Sequence, residues 1–199
     1  MRDGDDIFSI ANPAKQMDEA YAAWVFSVQL WATITTHAVD LKAIPRKIAL
    51  KDGATLGLFK SNLEERYYAD FAFNIFLACT GMCAIAFDAA MDAAFGTKDR
   101  GFPSVGSPDV LSARAILFQM RNAFAHTPTM PRWSVTNPQY RRTFRVEACS
   151  LELDLAGLNG RDLSIQKDFG GWDTLRRLFV FCIDRVREND SKTGTLRRT

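Results

Sequence analysis

The chain has 199 residues, 47% of them hydrophobic and 12% aromatic, and a formal net charge of +2 at pH 7. This composition argues against intrinsic disorder, and the length predicts one domain with a buried core. The small positive charge is compatible with a nucleic-acid partner without requiring one. The N-terminus lacks the apolar segment of a signal peptide, and the most apolar stretch, 71–95, is interrupted by Asn74, Asp88 and Asp92. We therefore expect a soluble, cytoplasmic protein with no membrane partner.

Two helices are predicted in the first half of the chain. The first covers 13–38, where Asn12 can cap the helix and apolar residues recur at three- and four-residue spacing. Residues 40–60 are predicted to be mostly connection. The second helix covers 61–95, starts at the capping-box sequence Ser61-Asn62-Leu63-Glu64, and carries aromatic residues on several faces. It should therefore be central and buried on more than one side.

The third helix is predicted over 108–126, because Ser107 is a good cap and proline follows it at the first helical position. After it, apolar residues alternate with polar ones and then change phase, which predicts a β-hairpin within 141–166 with a bulge near Cys149. The turn of the hairpin is assigned to Asn159-Gly160, and the returning strand to 163–165.

A last helix is predicted over 171–188, and the polar residues 189–199 are expected to form a disordered tail. The elements together predict a single, mainly α domain over 1–199. Its architecture is an up-and-down four-helix bundle with a β-hairpin inserted before the last helix.

The C-terminal end of the third helix concentrates polar side chains. Gln119, Asn122 and His126 share one face at three- and four-residue spacing, and Arg114 and Arg121 lie on the neighbouring stripe. Arginine is a permanent cation that fits phosphate, and histidine exchanges a proton near neutral pH. The alternative is that Arg121 and Asn122 are surface residues and that His126 stabilises the helix C-terminus.

This cluster matches the needs of RNA cleavage by the 2′-hydroxyl group, which requires a base, an acid and a donor for the charged phosphorane. In this role Arg121 holds phosphate, Asn122 fixes the imidazole or the phosphate, and His126 moves protons. A single chain offers one histidine in the motif, whereas a two-fold dimer offers two. No metal or other cofactor is required.

Arginines and aromatic residues alternate downstream of the third helix, as in grooves that bind single-stranded RNA. The alternative for this segment is a strand with one apolar and one basic face. The candidate RNA-binding residues are Arg114, Arg132, Trp133, Arg141 and Arg142.

Two further groups have weaker patterns. Cys79 and Cys83, four residues apart, could bind zinc with His37, but packing in the core explains them without a fourth ligand. Asp88 and Asp92 could form a metal or acid–base pair, or a solvated helix stripe, or they could be ion-pair partners of Arg114 and Arg121.

Arg121-Asn122-x-x-x-His126 resembles the RNxxxH motif of the HEPN superfamily. The resemblance implies a helical bundle, homodimerisation and, as in many members, metal-independent endoribonuclease activity in toxin–antitoxin, phage-defence or RNA-processing systems. A toxin would have an antitoxin protein as a further partner. One alternative is a non-catalytic HEPN-like module that binds RNA, nucleotide or protein. The other is a helical interaction domain in which the motif is a coincidence.

Overall fold

A computed structural model describes residues 12–36, 47–49, 55–57, 67–99 and 101–196. This part of the protein is mainly helical, with a two-stranded antiparallel hairpin before the last helix, as predicted. The helices are α1 (Pro13–Thr35), α2 (Tyr68–Phe95), α3 (Pro108–His126), α4 (Ile165–Asp168) and α5 (Trp172–Leu196). The strands are β1 (Lys47–Ala49), β2 (Thr55–Gly57), β3 (Thr143–Val146) and β4 (Leu151–Asp154).

The starts of α1 and α3 are set by the predicted caps. The Asn12 side chain accepts a hydrogen bond from the backbone N–H of Lys15 at 3.0 Å, and Ser107 Oγ accepts one from Val110 N–H at 3.4 Å. These side chains satisfy N–H groups that the first turn of a helix leaves without partners. The bounds of α3 coincide with the prediction, whereas the capping box predicted at 61–64 lies outside the described residues.

Helix α2 packs against α1, α3 and α5. The indole Nε1 of Trp24 in α1 donates to Thr80 Oγ1 at 3.1 Å, and the ring of Phe179 in α5 lies 4.7 Å from the ring of Phe87. Helix α3 is antiparallel to α2, since its residue Arg114 reaches Asp92 while its later residue Phe124 covers Gly81. The prediction that α2 is buried on more than one side is therefore confirmed.

The close approach of α2 and α3 depends on the absence of a side chain at Gly81. A Cβ atom at this position would lie 2.8 Å from Cδ1 of Phe124, a ring that is itself buried. We expect Gly81→Ala to lower the free energy of unfolding by about 1–3 kcal/mol through overpacking, despite the better helix propensity of alanine. Urea denaturation measures the change.

The matched control for this substitution is Gly157→Ala. A Cβ atom at Gly157 would have as its nearest neighbour Asp154 Oδ2, at 3.9 Å, which is ordinary contact. Equal stabilities of the two alanine variants would show that α2 and α3 can separate at no cost.

The predicted hairpin is present, but its predicted turn and returning strand are wrong. Strands β3 and β4 pair with Phe144 opposite Leu153 and Val146 opposite Leu151, and all four side chains are buried. The change of phase near Cys149 is therefore the turn between two antiparallel strands, with Ser150 at a φ of 51°, and not a bulge. Residues 163–165 form no strand, because Ser164 instead caps α4.

The hairpin turn is tied to the first turn of α3 by one side chain. The Asp109 carboxylate accepts hydrogen bonds from the backbone N–H groups of Glu147 and Ala148, at 3.2 and 3.0 Å. The hairpin is thus fixed against the end of α3 that is opposite to the RNxxxH motif.

One further prediction needs correction, and one segment contains an element that was not predicted. Residues 189–196, expected in a disordered tail, continue α5, and Asn189 Nδ2 donates to the Ala94 carbonyl of α2 at 2.8 Å. The segment predicted as mostly connection contains the antiparallel pair β1–β2. The C-terminal part of α5 is polar, and strands β1 and β2 are short, so the sequence pattern indicated neither element.

Helix α2 is the one helix among the described residues that is long and apolar enough to cross a membrane. In the structure it packs against three other helices, and both of its C-terminal aspartates are ion-paired within the protein. This arrangement is compatible with a soluble protein.

Candidate functional site

Helix α3 is buried along most of its length and reaches the surface in the turns around the motif. Residues 113–117 are all buried, while the Arg121 side chain is 46% exposed and Asn122 is half-buried. Gln119 is buried, and its amide oxygen has no hydrogen-bond partner within the described ranges. The surface site on α3 is therefore narrower than the sequence predicted and contains Arg121 and Asn122 but not Gln119.

Arg114 is buried, and its guanidinium is held by groups of the protein. Its Nη2 donates to Asp92 Oδ1 at 2.9 Å and to the carbonyl of Gly96, and its Nη1 donates to the carbonyl of Val105 at 3.0 Å. Its predicted role in RNA binding does not fit this placement, because a buried and neutralised guanidinium is not available to phosphate. Arg114 instead joins α3 to α2 and to the loop between them.

Lys98 links the two aspartates of α2. Its Nζ donates to Asp88 Oδ1 at 2.7 Å and to Asp92 Oδ2 at 2.6 Å, and its side chain is almost fully buried. The other oxygen of Asp88 accepts from Arg121 Nη1 at 3.4 Å. Of the alternatives left open for the aspartates, the structure supports ion pairing with the arginines. We call these five residues the ion-pair cluster: Asp88, Asp92, Lys98, Arg114 and Arg121.

Within the ion-pair cluster, burial raises the pKa of the Asp88 carboxyl above its ordinary value. The hydrogen bond and charge of Lys98 oppose this shift, Asp92 adds to it, and Arg121 lowers the pKa slightly. Because the cluster contains three cations and two carboxylates, the ionised cluster has an excess of one positive charge. Arg121 is the cation of the cluster with substantial exposure to solvent.

The ring of Phe118 supports the two cations nearest to Asp88. Lys98 Nζ lies 4.9 Å from the ring centroid, and the guanidinium carbon of Arg121 lies 5.8 Å from it. The same ring stacks on Tyr140, whose hydroxyl donates to the carbonyl of Gly101 at 2.7 Å. Arg121 is thus held by a carboxylate and an aromatic face, and it is positioned rather than free to rotate.

His126 is the last residue of α3, and its side chain lies outside what the structure describes. Its position follows that of Arg121 by five, which corresponds to an angle of about 140° around the helix axis. The two positions therefore lie on different faces of one helix. A phosphate that Arg121 and His126 are to share is reached more easily between two copies of α3.

Two of the predicted RNA-binding arginines are exposed. The Arg142 guanidinium lies over the rings of Phe102 and Phe144, at 4.8 and 5.2 Å, and Arg141 donates to the backbone carbonyls of Val135 and Thr136. Neither has an acidic partner among the residues that the structure covers. Both charges therefore remain available to an anionic ligand.

Arg132 and Trp133 are placed differently from each other. Arg132 is exposed and pairs with the exposed Asp162 at 3.1 Å, an ion pair that a phosphate could replace. Trp133 is 1% exposed, and its Nε1 donates to Asp168 at 2.8 Å. The prediction that Trp133 stacks on RNA is incompatible with this burial, because no face of its ring is open to a base.

The cysteines and the aspartates are the possible metal ligands that the sequence offered. No group of three or more His, Cys, Asp or Glu suited to a metal ion occurs in the described part of the chain, which does not include His37. Cys83 is buried, and burial raises the pKa of its thiol. Packing in the core therefore accounts for Cys83.

Sequence reasoning missed Lys98 and Phe118. The lysine follows Asp88 by ten residues in a loop, a separation that no helical pattern includes. Phe118 follows Arg114 by four residues and precedes Arg121 by three. This helical spacing indicates that its ring lies on the same side of α3 as the two arginines.

Comparison of the chain with models of known protein families finds no match, and comparisons with curated proteins and with solved structures find no significant match. The resemblance to the HEPN superfamily therefore depends on Arg121, Asn122 and His126 and on the order of the helices.

Proposed function

We propose that the protein is a metal-independent endoribonuclease of the HEPN type, built as an up-and-down four-helix bundle that acts as a homodimer in the cytoplasm. The observation that carries the proposal is the contrast between two arginines of α3. Arg114 is buried and neutralised, whereas Arg121 is exposed, held in place, and one and a half turns before His126.

The chemistry uses groups from both protomers. Arg121 binds the scissile phosphate and stabilises the negative charge that develops on it, and Asn122 orients the phosphate or the imidazole. One His126 takes the proton from the 2′-hydroxyl group, and His126 of the partner subunit protonates the leaving 5′-oxygen. The products are a 2′,3′-cyclic phosphate and a 5′-hydroxyl end, and the step balances without a metal ion. The exposed Arg141 and Arg142 supply charge for binding single-stranded RNA. A role as toxin or phage-defence effector, with an antitoxin as partner, belongs to this proposal.

The Arg121–Asp88 pair favours a second candidate function. A guanidinium that already shares a carboxylate gives less stabilisation to a transition state, although it still binds phosphate. The protein would then be a non-catalytic HEPN-like module that binds RNA, nucleotide or a protein partner through the same surface.

The test is incubation of the purified protein with total RNA and with a defined single-stranded RNA in the presence of EDTA. Wild type is expected to cleave and to leave 2′,3′-cyclic phosphate ends, with a rate that falls on both sides of neutral pH. His126→Ala should lower the rate by about 10²–10⁴-fold, because proton transfer is lost.

The chain provides a matched control, because His37 is its other histidine. His37→Ala should cleave like wild type. If no form of the protein cleaves RNA but His126→Ala still binds it, the result would support the second candidate. Equal cleavage by wild type and His126→Ala would exclude the proposed nuclease.

A further inference from the structure

An uncharged apolar stripe runs along the exposed side of α2. Four large side chains of this helix, all of them apolar, are between 45% and 65% exposed: Phe71, Ile75, Met82 and Ile85. Between Asp70 and Asp88 the helix contains no charged residue. A contiguous apolar stripe of this kind on a soluble protein marks a surface that another molecule covers.

The spacing of the stripe identifies a helix as its partner. Together with Ala78 and Ala89, which are partly exposed, the four residues follow one another at alternating intervals of four and three residues. This is the repeat by which one helix presents a continuous seam to another helix. We call the six positions the α2 seam: Phe71, Ile75, Ala78, Met82, Ile85 and Ala89.

The α2 seam is complementary to itself in one antiparallel register. In this register a two-fold axis passes at the level of Thr80. Each seam residue then lies opposite the partner-helix position that is the same number of residues from position 80 in the other direction. The resulting pairs are Phe71 with Ala89 of the partner subunit, Ile75 with Ile85 of the partner subunit, and Met82 with Ala78 of the partner subunit. Large side chains thus meet alanines at two positions, and two side chains of equal volume meet at the third, which permits close packing without clashes.

Charge at the ends of the seam agrees with this register. The exposed Asp70 comes opposite position 90 of the partner helix, between the two aspartates that belong to the ion-pair cluster. Arg121, the exposed cation of that cluster, pairs with Asp88 at this level, so Asp70 approaches a surface that presents a guanidinium.

The area is of the right order for a dimer. The four large side chains expose roughly 100 Å² each, or about 400 Å² per protomer, which is half of the area that a standard interface buries on each partner. The alanines of the seam and the adjoining surface of α3 supply further area. From these observations we propose that a second copy of this chain covers the α2 seam, in the antiparallel register centred on Thr80.

The proposed dimer does not depend on RNA cleavage, but it has a consequence for the motif. Phe124 of α3 packs on Gly81 of α2, so the C-terminal end of α3 lies level with the proposed axis. The two-fold operation keeps both copies of α3 on the same side of the paired α2 helices. It therefore brings the two His126 positions toward the axis.

The first test is the molar mass of the full chain in solution, measured by light scattering between about 1 and 50 µM, concentrations at which a weak specific dimer would dissociate and form. Wild type is expected to reach the mass of a dimer, and Met82→Glu is expected to remain a monomer. Phe26→Glu is the matched control, because Phe26 in α1 is as exposed as Met82 but lies outside the α2 seam. Phe26→Glu should dimerise like wild type, and circular dichroism should report unchanged helix content for both variants.

The second test examines the register in a Cys79→Ser chain. Ile75→Cys/Ile85→Cys should form a disulfide-linked dimer on mild oxidation, whereas each single cysteine variant should not, because identical positions lie about 15 Å apart along the helices in this register. Cross-linking by the single variants would overturn the register. If wild type stays monomeric at 50 µM, the proposed dimer is overturned, whether or not the protein binds phosphatidylcholine–phosphatidylglycerol vesicles. A dimer that is unaffected by Met82→Glu would overturn it as well.

Discussion

Replacing Arg114 by methionine is expected to lower the free energy of unfolding by about 3–5 kcal/mol, as is typical when one partner of a buried ion pair is removed. Methionine keeps much of the side-chain volume but leaves the carbonyls of Gly96 and Val105 and one oxygen of Asp92 without their donors. Each hydrogen bond that is lost in this way lowers the free energy of unfolding. Chemical denaturation followed by circular dichroism measures the change.

Arg132→Met is the matched control for this substitution. Arg132 forms an ion pair with Asp162 in which both side chains are mostly exposed, so its loss should change stability by about 1 kcal/mol or less. If Arg114→Met were no more destabilising than Arg132→Met, the ion-pair cluster would not contribute to the stability of the α2–α3 contact. In that case the cluster would be an incidental arrangement of charges.

Replacing Arg121 by alanine is expected to lower the rate of RNA cleavage by about 10²–10³-fold, the usual effect of removing one preorganised donor to the transition state. Arg121→Lys should recover part of the rate, because lysine keeps the charge but lacks the planar pair of donors. The measurement is single-turnover cleavage of a defined single-stranded RNA in EDTA. Stability should change little, because Arg121 is partly exposed and its 3.4 Å contact with Asp88 is the longest ion pair of the cluster.

Arg142→Ala serves as the control for loss of positive charge. Arg142 is exposed and rests on aromatic rings, so its removal should weaken RNA binding and reduce the salt dependence of binding without lowering the single-turnover rate at saturating protein. If Arg121→Ala behaved in the same way as Arg142→Ala, Arg121 would be a binding residue and not a catalytic one. Such a result would support the non-catalytic module.

The sequence was sufficient to predict the helices whose start signals and apolar periodicity are local. α1 and α3 begin at their predicted caps because a side chain three residues before a backbone N–H can be recognised in the sequence. The hairpin was misread because a change of phase is consistent with either a bulge or a turn. Only the pairing of Phe144 with Leu153 distinguishes the two.

The candidate site was predictable in part for a similar reason. Arg121 and Asn122 could be placed at the end of α3 from spacing alone, and pairing of the arginines with Asp88 and Asp92 was one of the alternatives considered. The burial of Arg114 could not be foreseen, because the groups that accept hydrogen bonds from its guanidinium include backbone carbonyls of a loop. Burial of Trp133 likewise depends on Asp168, which is distant in sequence.

All three cations of the ion-pair cluster follow α2 in the chain, and this order matters while the protein is being synthesised. Helix α2 leaves the ribosome with the length and hydropathy of a membrane span, while Lys98, Arg114 and Arg121 are still to come. During that interval Asp88 and Asp92 lack the cations that pair with them in the folded protein, and an unpaired carboxylate opposes insertion of a helix into a bilayer. The same two residues that later fasten α2 to α3 thus raise the free energy of inserting the nascent helix into a membrane.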